Sequence, residues 1–172
     1  MKSIGAAIAF CAFSLLAHSQ GNPVTAAVRD SLQRRQSNLV EAAQEMPPDK
    51  YGFKPTSAQM SFAHLIGHIV ESNGFLCSKI SGSAAPQQQV SDSDPKEKVV
   101  NALKASFDLC SVALSQFSDA KLGDEVTLFG GRRATKAAAL IALTSDWADH
   151  YSAAAMYLRL NGLLPPTAKA KE

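Results

Sequence analysis

The chain has almost no excess charge: a formal +2 over 172 residues, too little to argue for a nucleic-acid partner. Aromatic residues make up only 7% and are not interleaved with Lys or Arg, so a base-stacking surface has no support either. There is no Gly-rich phosphate loop, no Cys-x2-Cys pair and no nucleophile-elbow sequence, which removes the chemistries those motifs carry. No apolar run reaches the roughly 20 residues needed to span a bilayer. Past Pro23, no segment alternates convincingly as a strand.

What is present is ordinary globular composition, 46% hydrophobic and 19% charged, on a chain of one-domain length. The first residues read differently. Lys2 supplies a positive start, Ile4 to Ala17 is apolar, and Ala17-His18-Ser19 offers a small-residue cleavage site. Residues 1–19 are therefore expected to be a secretory signal peptide, and the mature protein periplasmic or secreted, with no membrane segment left after cleavage. Cys11 follows Ile8-Ala9-Phe10, a poor lipobox, and leaves with the peptide, as does His18. Cys77 and Cys110 remain. In an oxidising compartment an even pair points to a disulfide, closing a loop of about thirty residues and stabilising by roughly 3–4 kcal/mol. Two buried free thiols are the alternative.

The 3.6-residue period predicts four long helices, hence an all-α four-helix bundle over residues 24–166. The first runs from about Val24 to Glu45, with Ala27, Val28, Leu32, Leu39 and Ala43 inward, and ends at Pro47-Pro48. The linker after it carries Tyr51 and Phe53, which can pin it to the bundle. Thr56 or Ser57 is the expected N-cap of a second helix reaching Ile80, with Phe62, Leu65, Ile66, Ile69, Asn73, Leu76 and Ile80 on one stripe. Ser81 to Asp94 reads as a flexible loop. Asp94-Pro95 is expected to cap a third helix to about Phe117 that buries Val99, Leu103, Phe107, Cys110 and Leu114. Ser118 to Arg132 looks irregular. The last helix, Arg133 to Asn161, buries Leu140, Leu143, Trp147, Tyr151, Ala154 and Leu158, with Gly162 just past its end.

Chemistry-bearing residues are few. Asp146 and His150 lie four apart, so both project from one helix face, on the shoulder of the apolar stripe, where each needs a partner. With His68, near the edge of the second helix's stripe, they make a donor set for a divalent metal. Two imidazoles and a carboxylate suit Zn²⁺ and leave a position for water or substrate. Fe(II), Ni²⁺ and Mn²⁺ accept the same set. The competing reading of Asp146 and His150 is a surface ion pair. His64 forms a His-x3-His pair with His68 but faces solvent, which makes it the second choice. Ser152 has no support as a nucleophile, and Arg132, Arg133 and Arg159 read as solvated.

Three stretches then carry a resemblance: Met60 to Ile69, the linker Pro48 to Pro55, and His150-Tyr151 leading into Tyr157-Leu158-Arg159-Leu160-Asn161-Gly162-Leu163-Leu164-Pro165-Pro166. In these the chain resembles the DinB-like (YfiT-like) metalloenzymes. The resemblance implies an up-down-down-up four-helix bundle and a metal, often zinc or nickel, held by one His of the second helix and two of the last. His68 and His150 match the first and final ligands, while Asp146 stands where the family usually has its middle His. Ala153 replaces a polar Gln common after the final His. Relatives include thiol-S-transferases and maleylpyruvate isomerases. The implied function is an exported metal-dependent transferase or hydrolase acting on a small molecule. The alternative is a non-catalytic exported bundle that has lost its metal and serves as a binding or stress-related module. A homodimer is compatible with either.

Overall fold

The computed structural model describes residues 21–86 and 89–170. The expected signal peptide, with Cys11 and His18, lies outside them. The four helices are α1 (Pro23–Glu45), α2 (Phe62–Ser81), α3 (Lys96–Ser115) and α4 (Lys136–Leu160). Two three-residue strands, β1 (Glu125–Thr127) and β2 (Arg133–Thr135), pair antiparallel between α3 and α4. Among the described residues no helix is long and apolar enough to cross a membrane.

Side-chain pairings fix the helix directions. Asn73 meets Ser106 and Cys77 meets Cys110, both at a separation of 33, so α2 and α3 run parallel. Along α4 the order reverses: Tyr157 reaches Met60, His150 lies beside His68 and Trp147 bonds Asn73, so α4 is antiparallel to α2. Thr25 bonds Asp119 just beyond α3, and Arg29 bonds the carbonyl of Leu114, which sets α1 antiparallel to α3. The course is therefore up-down-down-up. Helices α1 and α2 each pack on both α3 and α4.

The apolar stripes read from the sequence for α2, α3 and α4 are all buried. In α1, Ala27 is exposed and Thr25 is buried instead, because its hydroxyl and amide both donate to Asp119. Inside the core, the Trp147 indole N–H donates to Asn73 Oδ1 at 2.7 Å, and Asn73 Nδ2 donates to Ser106 Oγ at 3.0 Å. This ties three helices together with satisfied polar groups. Cys77 and Cys110 form a disulfide between α2 and α3. Tyr51 is buried, donating to the carbonyl of Ala43, and Phe53 sits edge-on to Tyr157, so the linker aromatics do anchor it.

Several helix starts differ from expectation. Helix α2 begins at Phe62, not near Ser57, because Ser61 Oγ accepts the His64 amide and itself donates to Asp92. Helix α3 lacks a side-chain cap: Asp94 accepts from the Ser91 amide and Lys98 Nζ. Helix α4 begins at Lys136, since Arg133 to Thr135 belong to β2 and Thr135 Oγ1 accepts the Ala138 amide. The two short strands are an addition to the expected all-α bundle. They span three residues each, with Gly130 and Gly131 supplying positive φ between them. The hairpin region also satisfies α4's first amides, since Lys136 and Ala137 donate to the carbonyls of Asp124 and Leu122.

Because α2 and α3 are parallel, the segment joining them must travel back along the bundle. It does so against α2. A Cβ on Gly74 would lie 3.6 Å from Pro86, and one on Gly67 only 3.2 Å from Val90. The two glycines let the returning chain lie close to the helix.

Candidate metal centre

Antiparallel α2 and α4 bring His68, Asp146 and His150 together, with one potential ligand atom of each within 4.8 Å of the others. The two imidazole rings stand 4.9 Å apart. His68 is exposed at the rim, while Asp146 and His150 are mostly covered, their side chains 16% and 18% accessible.

The imidazole of His150 has a defined proton position. Its Nδ1 lies 2.7 Å from the carbonyl oxygen of Asp146 and 3.5 Å from that residue's Oδ1. Both neighbours are acceptors, so Nδ1 carries the proton and Nε2 keeps its lone pair free. Histidines that hold metals are commonly oriented by such an outer hydrogen bond.

Asp146 is the strained member. Its Oδ2 is buried with no hydrogen-bond partner among the described residues. Burial pushes its carboxyl above the ordinary carboxylate range. His150, His68 and the neighbouring Ser72 hydroxyl pull the other way, and Asp149 adds to the rise. A buried carboxylate oxygen without a donor calls for a cation. A hard-to-borderline divalent ion with nitrogen and oxygen preference fits this donor set.

His64 does not join the group. It points outward toward Asp92, at 3.2 Å. Arg133 pairs with Glu125 across the hairpin, and Ser152 is exposed on α4. Two features of the site escaped sequence reading. Ser72, one turn beyond His68, is buried beside Asp146. Beside His150 a cleft of about 390 Å³ opens, with Met60, Leu65, Ala153 and Met156 among its walls and Gln59 and Asp149 as polar groups. The position of Met156, nearly two turns past His150 on α4, is the one sequence signal that could have pointed to it.

The sequence profile of the DinB superfamily matches residues 31–153. A DinB-like protein from Bacillus subtilis superposes with a TM-score of 0.68 at 23% identity, covering 84% of this chain and 99% of its own. One from Bacillus cereus gives 0.69 at 14% identity, covering 82% and 95%. A mycothiol-dependent maleylpyruvate isomerase gives 0.62 at 16% identity, covering 74% of this chain and 59% of the isomerase. None of the curated proteins matches the chain in sequence.

Proposed function

This chain belongs to the DinB superfamily, and from that membership we propose that it is an exported divalent-metal-binding enzyme of transferase or hydrolase type. His68, Asp146 and His150 would be the protein ligands. The observation that carries the reading is Asp146: a carboxylate oxygen buried without a hydrogen-bond partner and flanked by two imidazoles within 4.8 Å.

A divalent ion held there would act as a Lewis acid, lowering the pKa of a coordinated water or thiol. The residues of the chain contribute orientation and charge. His150 is aimed by its Nδ1–H bond to the Asp146 carbonyl, which presents Nε2 to the site. Asp146 brings one negative charge where a third imidazole would bring none, so the set suits hard-to-borderline ions such as Mn²⁺, Fe(II) or Zn²⁺ rather than soft ones. A cleft walled by Leu65, Ala153 and Met156 opens beside His150 and gives a small molecule room next to the group. The apolar segment Ile4 to Ala17 and the Cys77–Cys110 disulfide support export to an oxidising compartment.

The test is metal content of untagged protein, measured beside His150→Ala. Near-stoichiometric metal that disappears in the variant supports the centre. No metal, and no uptake of Zn²⁺, Ni²⁺, Mn²⁺ or Fe²⁺, favours the second reading, a non-catalytic exported bundle. Asp146 and Ala153, both departures from the residues that the resemblance implies, motivate that reading.

A further inference from the structure

We propose that Asn73 is a positioning residue of the metal centre: its side-chain amide fixes the register of α4 against α2 and so holds Asp146 and His150 opposite His68. The role in metal binding rests on the metal-centre reading; the register itself rests on the core geometry alone.

Asn73 is fully buried on α2, five residues past His68. Trp147, also fully buried, lies between Asp146 and His150 on α4. The orientation of the amide is forced. An indole N–H can only donate, so Trp147 Nε1 at 2.7 Å requires Oδ1 of Asn73, not the amino group, on its side. The amino group then points to α3 and donates to Ser106 Oγ at 3.0 Å. Ser106 accepts there because its own proton goes to the carbonyl of Leu103 at 2.8 Å. From α4 through α2 to α3 every donor meets an acceptor, and a flipped amide would set two donors face to face at Trp147.

The surrounding contacts lack this directionality. Apolar burial is non-directional, and Trp147 against Phe107, with ring centroids 5.7 Å apart, tolerates a small slide of α4. A short N–H···O bond does not. A slip of one residue moves a helix about 1.5 Å along its axis and turns it by about 100°, whereas a working site must be held to about 0.5 Å. Toward the other end of the pair, the Tyr157 hydroxyl donates to the carbonyl of Met60, just before α2, at 2.7 Å. His68 and His150 lie between these two ties, and Asp146 adjoins Trp147. Without the Asn73 amide, α4 is held at the Tyr157 end alone and pivots about it.

The test compares the parent with Asn73→Leu, with Trp147→Phe, which deletes the same bond from the other side, and with Leu32→Ala, a core truncation on α1 away from the tie. In metal-stripped protein, the nuclear Overhauser effect between the His68 and His150 imidazoles, whose centroids stand 4.9 Å apart, reports the register. It should be present in the parent and in Leu32→Ala, and lost or much weakened in both tie variants. Co²⁺ titrated against a competing chelator then reports the centre. Its Kd should rise roughly tenfold in both tie variants, the scale for residues that orient metal ligands, with altered ligand-field bands, and stay unchanged in Leu32→Ala despite that variant's lower urea midpoint. An imidazole contact absent from the parent or unaffected in both tie variants, or Leu32→Ala weakening Co²⁺ as much as they do, overturns the proposal. A parent that takes up no Co²⁺ removes the metal reading, and the imidazole contact alone then decides the register. Equal Co²⁺ affinity in the parent and both tie variants removes only the role given to Asn73.

Discussion

Replacing Asp146 with Asn separates the cost of the site from its use. In the metal-free protein, Asp146 Oδ2 is buried without a partner, and a buried polar group left unsatisfied costs about 1–3 kcal/mol. Burial also raises the carboxyl's pKa, so the folded protein holds that proton more tightly than the unfolded chain. Stability from this residue is then fully present below the ordinary carboxylate range and falls as pH rises through the raised value. At neutral pH an ionised Asp146 is a liability, and Asn removes the charge at nearly constant shape. Metal-free Asp146→Asn should therefore be more stable than the parent by about 1 kcal/mol, or roughly 2–4 °C in Tm. Zinc at about 100 times its Kd should stabilise the parent by about 2.7 kcal/mol and the variant far less, inverting the order. Urea denaturation followed by fluorescence of Trp147, the single tryptophan and fully buried, reads both. A variant less stable than the parent without metal, or one that responds to zinc as strongly, would refute the reasoning.

Three further outcomes follow from the packing. Cys77 and Cys110 should resist a thiol label in unfolded, unreduced protein, and the double Ala variant should lose roughly 3–4 kcal/mol in denaturation, the scale for a loop of this size; immediate labelling contradicts the bridge. At Asp119, burial would raise the carboxyl, but the Thr25 hydroxyl and the amides of Thr25 and Val24 outweigh it and hold it low. Its contribution is present above the ordinary carboxylate range and lost as pH falls through the lowered value, so Asp119→Asn should flatten the acid limb of a stability–pH curve, and an unchanged limb would count against this. Asn73→Leu should cost about 1–3 kcal/mol by stranding the buried Trp147 N–H, seen as a lower urea midpoint at constant slope.

The sequence made the helical stripes legible because burial on α2, α3 and α4 repeats with the helix period, from Phe62 to Ile80 and from Leu140 to Leu158. The helix starts were less legible, for a physical reason. Thr56, Ser57 and Ser61 are equivalent as local caps, and it is Asp92, arriving from a distant segment to bond Ser61, that distinguishes one of them. Thr25 likewise reads as an exposed helix residue until Asp119 is placed beside it. The hairpin's three-residue strands are too short to show alternation. At the site, the four-residue spacing of Asp146 and His150 was visible. Their meeting with His68 depends on α4 running against α2, which no local spacing encodes. The cleft needs still more, since Met60 precedes one helix and Met156 lies late in another.

The parallel pairing of α2 with α3 also bears on how the chain reaches this state. In a simple up-and-down bundle, each consecutive helix pair can zip into a hairpin from its turn. Here α1 and α2, and likewise α3 and α4, are not the packed pairs, and the one consecutive pair that does pack is joined by a segment running back along the bundle. Every extensive helix–helix interface thus closes a long stretch of chain, and the contact order is high for an all-helical domain. Folding should be slow among bundles of this size. It should also be all-or-none, because α4, the last helix, must be present before either α1 or α2 has both of its neighbours.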